Sequence, residues 1–168
     1  MGEVLDGAAV RRWCGLAAEA LGRTRAEIDA LNVFPVPDGD TGTNLHLTVL
    51  AAAEAVEGLP GDAGTPEVWR TIARGALLGA RGNSGVILSQ FLRGMAEILG
   101  GRGAPPPDGR VLGEALGYAA VLARHAVEHP VEGTILSVLD EASAGTGDEP
   151  TLSGAARAAA DGARRALR

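Results

Sequence analysis

NVFPVPDGDTGTN, residues 32–44, places two carboxylates, Asp38 and Asp40, one residue apart in a turn between two segments of helical periodicity. Pro35 and Pro37 stiffen the approach, while Gly39 and Gly42 let the backbone turn sharply. Thr41, Thr43 and Asn44 follow where a helix should begin. Oxygen ligands beside a helix N-terminus suit a hard divalent cation carrying a phosphate, so the stretch points to nucleotide chemistry. An isolated Asp-Gly-Asp reads better as a surface turn. It is the continuation into an apolar helix that shifts the balance. A calcium loop of the EF-hand kind is excluded, because its fifth, sixth and twelfth places would be Gly42, Thr43 and Val49.

Working outward, the periodicity is helical almost throughout. A first helix is expected from Ala8 to about Ala30, with a break near Gly22–Thr24, and a second from Thr43 to Val56. Thr65-Pro66-Glu67 predicts a third, with Thr65 as the capping hydroxyl, running to about Ala80. A fourth begins after Ser84, with Ile87, Phe91, Met95 and Ile98 along one face. Gly100–Gly109 reads as a loop, and a fifth helix follows that Pro130 ends. Gly133-Thr134 opens a sixth, and Ser153–Arg168 forms the last. No stretch demands a strand. The expected fold is an all-α antiparallel bundle, in one domain over residues 1–168.

Composition narrows the chemistry. Hydrophobic residues make up 46% of the chain but aromatics only 3%, so the core must be close-packed Ala, Leu, Val and Ile. A formal charge of −6 argues against nucleic acid as a partner. All fifteen basic residues are arginine, which excludes a Walker A lysine and a lysine Schiff base. Cys14 is the only cysteine, so no internal disulfide forms. The first residues lack a signal-peptide pattern and no apolar run reaches membrane-spanning length. A cytoplasmic location is the expectation.

Three further motifs carry chemistry-bearing residues. Arg81-Gly82-Asn83-Ser84-Gly85 alone reads as a helix cap, or functionally as backbone N–H groups and Ser84 meeting phosphate. Gly133-Thr134 repeats that device. His125-Ala126-Val127-Glu128-His129 matches the H-x-x-E-H zinc pattern, but no third ligand accompanies it and histidine is favoured at a helix C-terminus in any case. Trp13 and Cys14 read as packing residues on their helix, and His46, three residues inside the next, reads as solvated or packed, with an approach to the phosphate site as the alternative.

With these motifs assembled, the chain resembles the nucleotide-binding domain of bacterial fatty acid kinase, in the dihydroxyacetone-kinase-like superfamily. The resemblance is carried by LNVFPVPDGDTGTN at Leu31–Asn44, ARGNSGVILSQFLRG at Ala80–Gly94 and PVEGTIL at Pro130–Leu136. It implies an antiparallel helical barrel of eight helices, of which this chain would lack the last, being C-terminally truncated. It also implies ATP or ADP and two Mg²⁺ ions at one rim. Asp38 and Asp40 would ligate the metals and act catalytically through them, with Asn32 near the place of a third ligand. Thr41, Gly42, Thr43, Asn44, Asn83, Ser84, Gly85, Gly133 and Thr134 would line the nucleotide pocket. The implied reaction is phosphorylation of a fatty acid carboxylate on a separate carrier protein, with homodimerisation through domains outside this chain. Two alternatives stay open: a dihydroxyacetone kinase subunit and a non-catalytic ADP/Mg²⁺ regulatory module. A helical interaction domain without ligand is the bland third.

Overall fold

A computed structural model describes residues 3–101, 103 and 106–168. Among them are seven α-helices and no strand: α1 (Gly7–Leu31), α2 (Thr41–Glu57), α3 (Thr65–Gly79), α4 (Gly82–Leu99), α5 (Gly109–His125), α6 (Ile135–Thr146) and α7 (Leu152–Arg165). Each packs on the next along the chain, and the array curls so that α1 also meets α3, α2 meets α4 and α5 meets α7. Short connections make neighbours antiparallel. The N-termini of α2, α4 and α6 therefore share one end with the C-termini of α1, α3 and α5.

Small residues set the spacing, as the aromatic-poor composition requires. Gly75 and Gly79 of α3 lie on Ala55 and Ala51 of α2, Gly94 of α4 on Ala119 of α5, and Gly162 of α7 on Glu141 and Ala142 of α6. A Cβ at any of these would meet its neighbour at less than normal contact, forcing the helices apart. The larger side chains Val10, Val49, Val68, Trp69, Ile72, Phe91, Leu92 and Met95 fill the remaining core. Cys14 is buried there, and loss of hydration pushes its thiol up to about 11. Trp13 is half-exposed with its ring tilted against Trp69, the centroids 5.6 Å apart. Both residues pack as expected.

Several helix features differ from the sequence reading, and α2 starts at Thr41, two residues before the expected Thr43. The first helix does not break at Gly22: the absent side chain there admits the His46 ring, and Thr24 bonds back to the Ala20 carbonyl inside the helix. Gly64, not Thr65, caps α3, because its carbonyl already accepts from the N–H groups of Glu67 and Val68. Helix α4 starts at Gly82 rather than after Ser84. A φ of 62° at Gly82 turns the chain from extended Arg81 straight into the helix. Finally, α5 ends at His125, well before Pro130, leaving Glu128 and His129 outside it. The two histidines therefore share no helix face, and no group of three potential metal-ligating His, Cys, Asp or Glu occurs among the described residues. The loop expected at Gly100–Gly109 falls partly on residues 102, 104 and 105, outside the described residues; Gly109 itself begins α5. No described helix is long and apolar enough to cross a membrane.

Candidate nucleotide and metal site

The carboxylate turn joins the end of α1 to the start of α2, and side chains of α1 hold it. Asn32, the C-cap of α1, accepts three hydrogen bonds at Oδ1: from Asp40 N at 3.2 Å, Thr41 N at 3.1 Å and Thr41 Oγ1 at 2.7 Å. Its Nδ2 donates to the Val36 carbonyl at 3.0 Å, so one amide closes the loop and orients its exit. Asp29, in the last turn of α1, accepts from Thr43 N at 3.0 Å and from Thr43 Oγ1 at 2.6 Å. The Thr43 hydroxyl first, and then its N–H, hold the Asp29 carboxyl below the usual aspartate range. Gly42 lies against the Arg25 carbonyl and Ile28, where no side chain would fit.

Asp38 and Asp40 are both exposed, and among the described residues their carboxylates make no hydrogen bond or ion pair. Asp40 occupies the N-cap position of α2 without using its side chain to cap. Two uncommitted carboxylates one residue apart fit a Mg²⁺ ion that keeps waters and takes its other ligands from phosphate. Thr41 and Thr43 are engaged by Asn32 and Asp29.

The second motif meets the first directly. Asn44 of α2 lies against Gly82 so closely that a Cβ there would overlap its amide. One turn on, the fully buried Thr48 hydroxyl donates to the Asn44 carbonyl at 2.7 Å and accepts from Arg81 N at 3.2 Å. Gly85 leaves room for that hydroxyl. Asn83 and Ser84 stand in the first turn of α4, which has no side-chain cap, so its leading N–H groups face outward beside α2. That arrangement attracts anions.

The third motif sits at the same end but apart. Helix α6 packs on α5 and α7, and no hydrogen bond among the described residues ties Gly133 or Thr134 to the carboxylate turn. Thr134 caps α6 through its own hydroxyl, and Gly133 has a φ of 75° with open space around its Cα. A polar brace shapes this loop. Arg124 pairs with Glu132 at 3.1 Å and also with Asp140, Ser137 donates to Glu132 at 2.7 Å, and Gly133 N donates to Ser137 at 2.9 Å. The Ser137 hydroxyl and then Arg124 hold the Glu132 carboxyl below its usual range. His46 turns away from the site, its Nδ1 lying 3.1 Å from the Ala18 carbonyl. An open groove of about 470 Å³ between α2 and α3, lined by Ala55, Glu67, Arg70 and Leu78 among others, shares no residue with the carboxylate turn.

Asp29, Thr48 and Arg124 are the supporting residues that motif reading passed over. Each carried a signal. Asp29 is an acid in the last turn of a helix, where the dipole disfavours it. Thr48 is polar on an otherwise apolar face, and Arg124 is the last arginine before Arg157.

An all-helical array with such a turn defines a known class. The sequence model of the DAK2 domain matches residues 35–168, and the chain belongs to that family. Membership makes it a nucleotide-binding module of the dihydroxyacetone-kinase-like kind. Protein YloV of Bacillus subtilis (strain 168) is 41% identical over 145 residues, covering 83% of this chain and 25% of that protein. Uncharacterized proteins of Staphylococcus aureus, from strains USA300 and NCTC 8325 among others, are 43% identical over 127 residues, covering 75% of this chain and 22% of theirs. The chain thus spans about a quarter of the length of these relatives.

Proposed function

We propose that this chain is the ATP-binding domain of a kinase that phosphorylates the carboxylate of a fatty acid presented by a carrier protein. A carboxylate oxygen attacks the γ-phosphorus, the bond to the β-phosphate oxygen breaks, and ADP leaves with that electron pair, giving an acyl phosphate. Phosphoryl transfer asks a protein for positioning and charge neutralisation more than for covalent help. In this reading Asp38 and Asp40 ligate Mg²⁺. Asn32 becomes a third ligand only by giving up part of the hydrogen bonding it now accepts. The open first turn of α4, with Asn83, Ser84 and Gly85, takes phosphate beside Asn44. Thr41, Gly42 and Thr43 shape the metal side, and Gly133 and Thr134 the far wall. Bound Mg²⁺ would neutralise the β- and γ-phosphates, a task no lysine of this chain can share.

The acceptor reading rests on one observation. Leu31, the last residue of α1, and Val33, Phe34 and Val36, in the loop leading to the carboxylates, are between 56% and 73% exposed. These side chains adjoin Asp38 and Asp40 along the same stretch of chain and form an exposed apolar collar there. Exposed apolar clusters of this kind mark contact surfaces, and a small polar ketone has no use for one. The test is hydroxylamine trapping of acyl phosphate from the chain, Mg·ATP and oleate held on a fatty-acid-binding protein, run beside dihydroxyacetone as acceptor. Hydroxamate supports the proposal, and dihydroxyacetone phosphate supports the ketone kinase instead. Nucleotide binding with neither product leaves a regulatory module.

A further inference from the structure

The α2 N-terminus is capped from another helix. Asp, at the N-cap, is among the residues best able to accept from the first turn, yet the Asp40 side chain accepts nothing there. Its work is done by Asp29, whose carboxylate holds the Thr43 N–H and hydroxyl, and by Asn32, which takes the Asp40 and Thr41 N–H groups. Asp29 is costly where it stands. It lies in the last turn of α1, which holds no basic residue, so its charge opposes the dipole of its own helix. A residue that breaks a local rule needs a gain elsewhere, and here the gain is at the start of α2.

We infer that Asp29 is a positioning residue for the metal site: by capping α2 from α1 it leaves the Asp40 carboxylate uncommitted and fixes its direction. This rests on the reading of Asp38 and Asp40 as Mg²⁺ ligands, and nothing in the family motif assigns Asp29 a part. Without the Asp29 carboxylate, the free first-turn N–H groups would recruit the Asp40 side chain as an ordinary cap and draw it away from the metal.

The experiment compares the chain with Asp29→Ala, Asp29→Asn and Asp6→Ala by calorimetric titration of ADP at graded Mg²⁺, with the thermal midpoint recorded for each. Asp6 is the control, since it caps the far end of α1 through a 2.8 Å bond to Ala9 N and lies away from the site. Loss of a group that orients a metal ligand costs about tenfold or more in metal affinity, and a ligand drawn aside into a helix cap loses its orientation in the same way. Asp29→Ala should therefore need about tenfold more Mg²⁺ for half-maximal ADP binding. Asp29→Asn, which keeps an acceptor oxygen, should recover most of that loss, and Asp6→Ala should lower the midpoint while leaving the Mg²⁺ requirement unchanged. An unchanged requirement in Asp29→Ala overturns the inference, as does an equal shift in Asp6→Ala. If Asp29→Ala does not fold, Asp29→Leu, which keeps the side-chain shape without an acceptor, takes its place: a raised Mg²⁺ requirement in it alone supports the inference, and an unchanged requirement, or an equal shift in Asp6→Ala, overturns it. Failure of the unsubstituted chain to bind Mg·ADP removes the underlying site reading instead, which is a separate result.

Discussion

Asp40 stands at the N-cap of α2 and caps nothing, while Asp38, two residues earlier, is equally unengaged. In a surface turn, such acids normally fold back onto nearby N–H groups. Their freedom here follows from Asn32 and Asp29 having already taken those donors. Because neither carboxylate supports the fold, Asp38→Ala and Asp40→Ala should keep the helical circular dichroism of the parent and lose Mg²⁺-dependent ADP binding. Retained binding in both variants would contradict the metal assignment. At this scale the sequence was legible where chemistry is written in a compact motif. Asp38 and Asp40 share one turn, Asn44 follows in the first turn of α2, and Ser84 stands in the first turn of α4 beside it. It was not legible where a residue acts across elements. Asp29 and Thr43 are fourteen positions apart, and only the antiparallel meeting of α1 and α2 brings them within 3.0 Å.

The seam between α2 and α4 is tight, and Gly82 is its pivot. A side chain at Gly82 would have to adopt a positive φ, costing about 1–2 kcal/mol, and would also collide with the Asn44 amide. Gly82→Ala should therefore lower the free energy of unfolding in urea by about 2 kcal/mol or more, whereas a loss below about 0.5 kcal/mol would show the seam to be loose. The α1–α2 joint has a pH signature. The Asp29 carboxyl lies below its ordinary value because the folded state hydrogen-bonds its ionised form. Its contribution is therefore complete above the unfolded aspartate value of about 3.9 and is lost as pH falls through the folded value. The difference in thermal midpoint between the chain and Asp29→Asn should stay constant from neutral pH down to about 5 and close below about 4. A difference that grows on acidification would carry the wrong sign. Helix number and order were legible from the 3.6-residue period. The boundaries at Gly64, Gly82 and Ala126 were not, because these residues act through backbone geometry and carry no side-chain signal.

Across the whole molecule, exposed large apolar residues gather at the end that carries the motifs. Leu31, Val33, Phe34, Val36, Leu77, Leu78 and Val131 all lie there, whereas the described loops at the opposite end show only Val4. Close packing of Ala and Gly between helices was foreseeable from an aromatic-poor composition. This asymmetry was not, since it emerges only once antiparallel order sorts the connections into two ends. If the collar is a contact surface rather than part of the fold, replacing Val33, Phe34 and Val36 together by serine should reduce binding of a hydrophobic dye. The thermal midpoint and Mg·ADP affinity should stay as they were; a fall in the midpoint of more than a few degrees would place these side chains in the fold. The proposed chemistry requires the carboxylate turn to be a metal-dependent nucleotide site, which calorimetric titration of the chain with ADP, with and without Mg²⁺, would check. Saturable binding that appears only with Mg²⁺ is the predicted result, and binding that is absent, or indifferent to Mg²⁺, would contradict it.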